Sequence, residues 1–236
     1  MKKNIAMRVA AFLFILTMIS TCAFATTFAK YTTSDTATDE ARVAKWGVTV
    51  SMVGMDQTEY EYGGTAQDTS ISATTTEKNI APGSEIRFAT INLTGTPEVA
   101  VSVTYTATLD LSNWVVGGTE YCPLVFKVGS VDYFIGKDVS GSTIEAVKAL
   151  GKIESISELK TAVEAAIVAY SKNYDANTNL VNQTANQLTV HCSWAFSSSD
   201  ADDIKDTALG NAATDADTSK HPGISLTITC TVTQID

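Results

Sequence analysis

Residues 99–111 alternate without a break. Val99, Val101, Val103, Tyr105, Ala107, Leu109 and Leu111 fall on one phase, and Ala100, Ser102, Thr104, Thr106, Thr108 and Asp110 fall on the other. A strict period of two puts one set of side chains on each face of a β-strand, so one face meets a core and the other meets water. The same pattern returns twice. Leu188, Val190, Cys192, Trp194 and Phe196 share a phase, and Ile224, Leu226, Ile228, Cys230 and Val232 alternate with Ser225, Thr227, Thr229, Thr231 and Thr233. Strands of this kind pair antiparallel, and several of them with polar outer positions predict a mainly β, antiparallel sandwich.

Shorter signals fill the frame. Ala44, Trp46, Val48, Val50 and Met52 predict a strand over residues 43–52. Residues 56–78 read as loop, with one short strand around 69–75. Pro82-Gly83 predicts a tight turn within residues 79–84, because proline presets φ and glycine tolerates the next position. A strand follows over residues 85–93, and its alternation changes phase near Thr90, the mark of a bulge. Residues 124–128 and 131–135 predict a hairpin across Gly129-Ser130. The pattern then turns helical, over 142–150 and 157–171. Ser157 is read as the cap, and Leu159, Val163, Ala166, Ile167 and Tyr170 form one stripe. This short helical insertion, at about 142–171, decorates the β framework by core packing. Residues 197–220 read as a long polar excursion. A final strand runs almost to Asp236, with no sorting motif or apolar tail after it.

The N-terminus is a different object. Lys2, Lys3 and Arg8 precede an apolar run over residues 9–19, and small residues follow. The run is shorter than the roughly 20 apolar residues that a spanning helix needs. Positive start, short apolar core and small residues together describe a secretory signal peptide. Cleavage after Ala25 satisfies the A-x-A rule at Ala23-Phe24-Ala25; cleavage after Ala29 is the weaker match by sequence alone. The chain has 16 basic and 26 acidic side chains; losing Lys2, Lys3 and Arg8 leaves 13 basic, a net of −13. Such a surface repels nucleic acid and anionic membranes. The remaining length suits one domain, residues 43–236, with a polar segment, 30–42, ahead of it.

The stretch TFAKYTTSDTATDEARVAKWGVTVS, followed by NIAPGSEIRFATINLTGTPEVAVSVTYTA, resembles the TasA/camelysin family of secreted Gram-positive proteins. Phe28-Ala29 stands where a signal peptidase of the SipW type cuts in that family, which favours a leader of residues 1–29. Lys45-Trp46-Gly47-Val48 and Ile80-Ala81-Pro82-Gly83-Ser84 stand at its first-strand and turn motifs. The likeness covers residues 26–111 and is weaker beyond. It implies a jelly-roll sandwich, secretion to the extracellular matrix or cell surface, and a homopolymeric biofilm fibre, with accessory matrix proteins as further partners. Assembly would use donor-strand complementation, in which the freed segment of one subunit adds a strand to the next. The donor residues implied are Lys30, Tyr31, Thr32, Thr33, Ser34, Asp35, Thr36 and Ala37. An open sheet edge presents unpaired N–H and C=O groups that such a segment satisfies. This segment is polar, so backbone bonds would dominate its grip.

Two other functions compete: a camelysin-like secreted metalloprotease, and a monomeric surface adhesin or accessory fibre component. A catalytic zinc needs about three protein ligands, usually with histidine. Only His191 and His221 are present, and neither has a second ligand at helical spacing. The reading is therefore not an enzyme, with no catalytic or cofactor residues. Asp200, Asp202, Asp203 and Asp206 form an acidic cluster that makes calcium a candidate, although the spacing is not an EF-hand. Export permits a disulfide. Cys192 and Cys230 are the candidates, since both lie on the apolar phase of a long strand; three buried free thiols are the alternative.

Overall fold

The computed structural model describes residues 5–25, 44–45, 47–53, 56–60, 80–181, 187–195 and 199–235. They belong to two units, Met1–Ala44 and Lys45–Asp236. In the first, helix α1 (Ile5–Ala25) carries the apolar run. Met7, Phe12, Phe14, Leu16 and Met18 on it are exposed. The helix ends on Ala25, the first candidate cleavage residue; Ala29 and the candidate donor residues 30–37 lie outside the described residues.

Among the described residues, all the buried ones lie in the second unit. Its strands are β1 (Val48–Val53), β2 (Asp56–Tyr60), β3 (Ser84–Gly95), β4 (Val101–Ser112), β5 (Val115–Val116), β6 (Thr119–Glu120), β7 (Leu124–Val128), β8 (Val131–Tyr133), β9 (Lys172–Tyr174), β10 (Gln187–Trp194) and β11 (Gly223–Gln234). Its helices are α2 (Glu145–Lys148), α3 (Ile156–Val168) and α4 (Asp200–Ala212). One sheet has the order β1-β3-β10-β7-β8, with β2 continuing beside β3; a second has the order β11-β4-β9; β5 and β6 form a small ribbon. Every pairing is antiparallel. The chain is thus mainly β, as its alternation predicts.

The two large sheets share one core. Ile91, Phe126, Leu188 and Val190 from the first meet Val101, Val103 and Leu109 from the second, and Trp114 stands edge-on to Trp194 with ring centroids 5.4 Å apart. Helix α3 packs on β4 and touches β7 and β8, with Leu159, Val163 and Ile167 fully buried. Leu159, Val163, Ala166 and Ile167 of the predicted stripe are buried on it, whereas Tyr170 lies past its end and is half-buried. Its cap is not the predicted one: Ser155, rather than Ser157, accepts the Glu158 N–H at 3.2 Å, while the Glu158 carboxylate takes the Glu154 N–H at 2.7 Å. The Ser155-Ile156-Ser157-Glu158 order is a capping-box pattern.

The phase change in β3 is a bulge. Phe88 and Ala89 are both buried, and the pairing with β10 slips between Val190 and His191. The turn before β3 forms at Pro82-Gly83, with Gly83 at φ 83°. Gly129-Ser130 joins β7 to β8 as expected. Two expectations fail. Residues 56–60 are a strand rather than loop, and the polar excursion contains α4. Asp200, Asp202 and Asp203 fill the first turn of α4, where carboxylates complement the positive end of the helix dipole, and Leu209 buries its inner face. The short strand expected at 69–75 lies outside the described residues.

Candidate assembly edge

The two flanks of strand β4 are closed in different ways. On one flank β9 pairs with Val101 to Val103 only. Beyond that, side chains take over. The Tyr105 N–H donates to Ser171 Oγ at 2.9 Å, and the Leu109 N–H donates to Glu164 Oε1 at 2.7 Å. On the other flank β11 pairs with β4 along its entire length, from Gly223 opposite Ser112 to Gln234 opposite Val101. Strand β11 is then the last strand of its sheet, and its outer side has no strand partner among the described residues.

The register says which groups face outward. The Ile235 N–H bonds to the Ala100 carbonyl at 3.0 Å, so that directly opposed pair is of the hydrogen-bonded kind. Bonded and non-bonded pairs alternate along an antiparallel ladder. The odd-numbered residues of β11 therefore turn their backbone groups toward β4. Ile224, Leu226, Ile228, Cys230 and Val232 turn theirs to the open edge. The side chains sealing β4 agree: Tyr105 and Leu109 oppose Cys230 and Leu226, and both direct their N–H away from β11.

The same five residues form the inner row of β11, and all five are only half-buried; of their neighbours on β4, Leu111, Leu109, Tyr105 and Val103 are buried and Ala107, opposite Ile228, is half-buried. The strand GISLTITCTVTQ holds no charge and no proline. Sheet edges are usually blunted by lysine, proline, bulges, shortness or a covering helix. Among the described residues this edge has none of these: it runs for 12 residues.

Lys45 fixes where the chain enters the domain. Its carbonyl accepts the Glu98 N–H at 3.0 Å, and its N–H donates to Glu98 Oε2 at 2.8 Å. Ala100, two residues on, holds the end of β11. The entry point of the N-terminal chain and the C-terminal end of the open strand thus share one end of the domain.

The other candidate sites do not assemble. Asp200 and Asp203 are exposed, Asp202 pairs with Lys205 at 3.2 Å, and Asp206 is buried accepting the Tyr121 hydroxyl at 2.7 Å. Asp217 caps a 3-10 turn, and its hydrogen bonds from Ser219 hold its carboxyl below the usual range. Among the described residues no three His, Cys, Asp or Glu side chains gather to hold a metal. His191 Nδ1 lies 2.6 Å from Glu85 Oε1 on the outer face of the larger sheet, and His221 Nε2 lies 2.8 Å from the Asp215 carbonyl.

Cys122, Cys192 and Cys230 are free thiols, so the candidate bond between Cys192 and Cys230 is not formed. Cys192 opposes Phe126 and Ile86 in one sheet, and Cys230 opposes Tyr105 in the other. Burial pushes the Cys192 thiol well above its usual range and the Cys122 thiol up to about 11. Sharing an apolar phase does not place two residues in the same sheet. Sequence reasoning also missed Glu164 and Ser171, because their partners lie 55 and 66 residues away.

Comparison with models of known protein families, with curated proteins and with solved structures finds no match.

Proposed function

We propose that this chain is an exported structural subunit that polymerises by strand addition. The segment of residues 30–42 of one copy, freed by a leader peptidase of the SipW type, completes the open edge of β11 on the next copy. The observation that carries this reading is the edge itself: 12 residues without a charge, their inner row half-buried, on a sheet whose other flank is sealed by Ser171 and Glu164. A head-to-tail contact of this kind does not close on itself, so it extends into a fibre. The antiparallel sheets fit a jelly-roll variant, and the exposed apolar α1 fits a leader. The setting proposed is the extracellular matrix or cell surface, with accessory matrix proteins as additional partners. The chain enters the domain at Lys45, at the end where β11 finishes, which supports a subunit that carries both a donor and an acceptor.

Negative-stain microscopy of residues 30–236 beside residues 43–236 tests this, together with Ile228→Pro in the longer chain. Proline at position 228 removes an outward N–H and leaves the ladder to β4 intact. Filaments are expected from the first chain alone. Filaments from all three would remove both the donor segment and the β11 edge from assembly.

A further inference from the structure

Resting on the reading of β11 as the assembly site, we infer that in the absence of a donor segment the edge is covered by the β11 strand of a second copy, paired antiparallel about a two-fold axis. The edge is self-complementary in three respects, the second and third of which are met by the same registers.

Charge is the first. The chain carries a net charge of −10, so two copies repel over most of their surfaces. Strand β11 carries no charged residue, so contact along it brings no like charges opposite one another.

Backbone parity is the second. The outward N–H and C=O groups belong to the even-numbered residues 224 to 232. Two identical antiparallel strands bond through these groups only when an even residue opposes an even residue. That condition admits the registers centred on a residue, and of these the ones centred on Ile228 or on Thr229 overlap most. Either one pairs all of β11 except one terminal residue.

Side-chain facing is the third. Directly opposed residues in an antiparallel pair point to the same face. The registers that satisfy the backbone therefore also set Ile224, Leu226, Ile228, Cys230 and Val232 against the same row of the other copy. They extend the outer row of threonines as well. The half-buried apolar row gains a cover, and the sheet β9-β4-β11 continues into its two-fold mate. A shift of one residue would fail both conditions together.

The pairing protects the edge until a donor displaces it, so the dimer is a resting form of the subunit. Residues 45–236, which carry the entire core, are the chain to test, by sedimentation velocity across a concentration series. The expected result is a dimer of twice the monomer mass. A synthetic peptide of residues 30–43 should convert it to a monomer–peptide complex. Ile228→Pro should abolish the dimer with unchanged circular dichroism. Cross-linking gives a second handle that does not rely on the proline variant folding. Leu226→Cys sets a thiol opposite the partner's Cys230 in the Ile228-centred register, and Ile228→Cys does so in the Thr229-centred register, so one of the two should form a covalent dimer under mild oxidation.

A monomer at every concentration that still binds the peptide would overturn the dimer and leave the strand-addition reading standing. A dimer that persists with a folded Ile228→Pro variant, or that neither cysteine variant cross-links, would overturn it too by placing the contact elsewhere. A dimer lost in the Ile228→Pro variant but untouched by the peptide would support the edge pairing and count against residues 30–42 as the donor.

Discussion

The Glu164 carboxylate on α3 accepts the backbone N–H of Leu109 on β4 at 2.7 Å. A helix side chain thus completes a strand's hydrogen bonding at a position where a neighbouring strand would otherwise sit. Burying an N–H without a partner costs about 1–3 kcal/mol. The bond is therefore a structural closure of one flank, and among the described residues β11 on the other flank has no such partner.

Glu164→Ala should lower the stability of the domain by about 1–3 kcal/mol, because Leu109 is fully buried and its N–H would be orphaned. Glu164→Gln keeps an acceptor oxygen and should lose less than half of that. Urea unfolding of residues 45–236 measures both. Equal losses for the two variants would show that the carboxylate oxygen is not what Leu109 needs.

Gly95 should tolerate no side chain. Its φ is +112°, and a Cβ there would meet the Gly47 carbonyl oxygen at 1.8 Å. Gly47 is at φ +62°, and a Cβ on it would meet the Thr96 carbonyl oxygen at 2.7 Å. The two glycines let β1 begin directly over the end of β3, where Lys45 is tied to Glu98. Gly95→Ala combines a positive-φ residue with a backbone clash, so the expected loss is several kcal/mol, at the severe end of single substitutions. Gly118→Ala, at φ +82° in open space, is the control for φ strain alone and should cost about 1 kcal/mol. Thermal melts of the two side by side separate clash from strain.

The three thiols of the domain should react in two classes. Burial raises all three thiols, but Cys192 is fully buried and Cys122 nearly so, whereas Cys230 is half-buried on the open strand. Thiolate is the reactive form, so a raised pKa slows reaction as burial does. In the native domain a disulfide-exchange reagent should label Cys230 alone and slowly; all three should react at once in denaturant. If Cys230 is further slowed by the peptide of residues 30–43, the peptide covers β11. Three thiols counted in denaturant without reductant would agree with an absent disulfide; one thiol would contradict it.

Much of this architecture is legible in the chain because burial on one face writes a period of two into the residues. Residues 101–112, 187–194 and 223–234 are strands for that reason, and the Phe88-Ala89 pair betrays the bulge as two buried neighbours in a row. Helix α4 is not legible as a helix, since it buries little beyond Asp206 and Leu209 and its other residues read as polar loop. Strand β2, Asp-Gln-Thr-Glu-Tyr, has no apolar phase to show. The open edge is hidden for a deeper reason. The alternation of β11 matches that of β4, so the sequence presents both as core strands. Which one ends the sheet depends on pairing partners far along the chain. Half-burial of an inner row is a property of neighbours, not of residues.

Alkaline pH should weaken the domain earlier than its acidic charge would suggest. Burial raises the phenols of Tyr105, Tyr121, Tyr133 and Tyr174 above their usual 10.0, and for Tyr121 the hydrogen bond to Asp206 adds to the effect. In the unfolded chain these phenols ionise near pH 10. Above that pH the unfolded state holds fewer protons than the native state, so the unfolding free energy falls as pH rises. The stability these groups contribute is complete below pH 10 and is lost progressively above it. Urea unfolding at pH 9, 10 and 11 should show a midpoint that falls across the whole series, because the raised thiols of Cys122, Cys192 and Cys230 titrate first in the unfolded chain, and that falls more steeply between the second and third values as the phenols join them. Tyr121→Phe removes one of the four phenols, so the variant should start less stable, having orphaned the buried Asp206 carboxylate, and then fall less steeply between pH 10 and 11. A variant with the same alkaline slope as the parent would show that Tyr121 ionises as freely in the folded domain as in the unfolded chain, which its bond to Asp206 forbids.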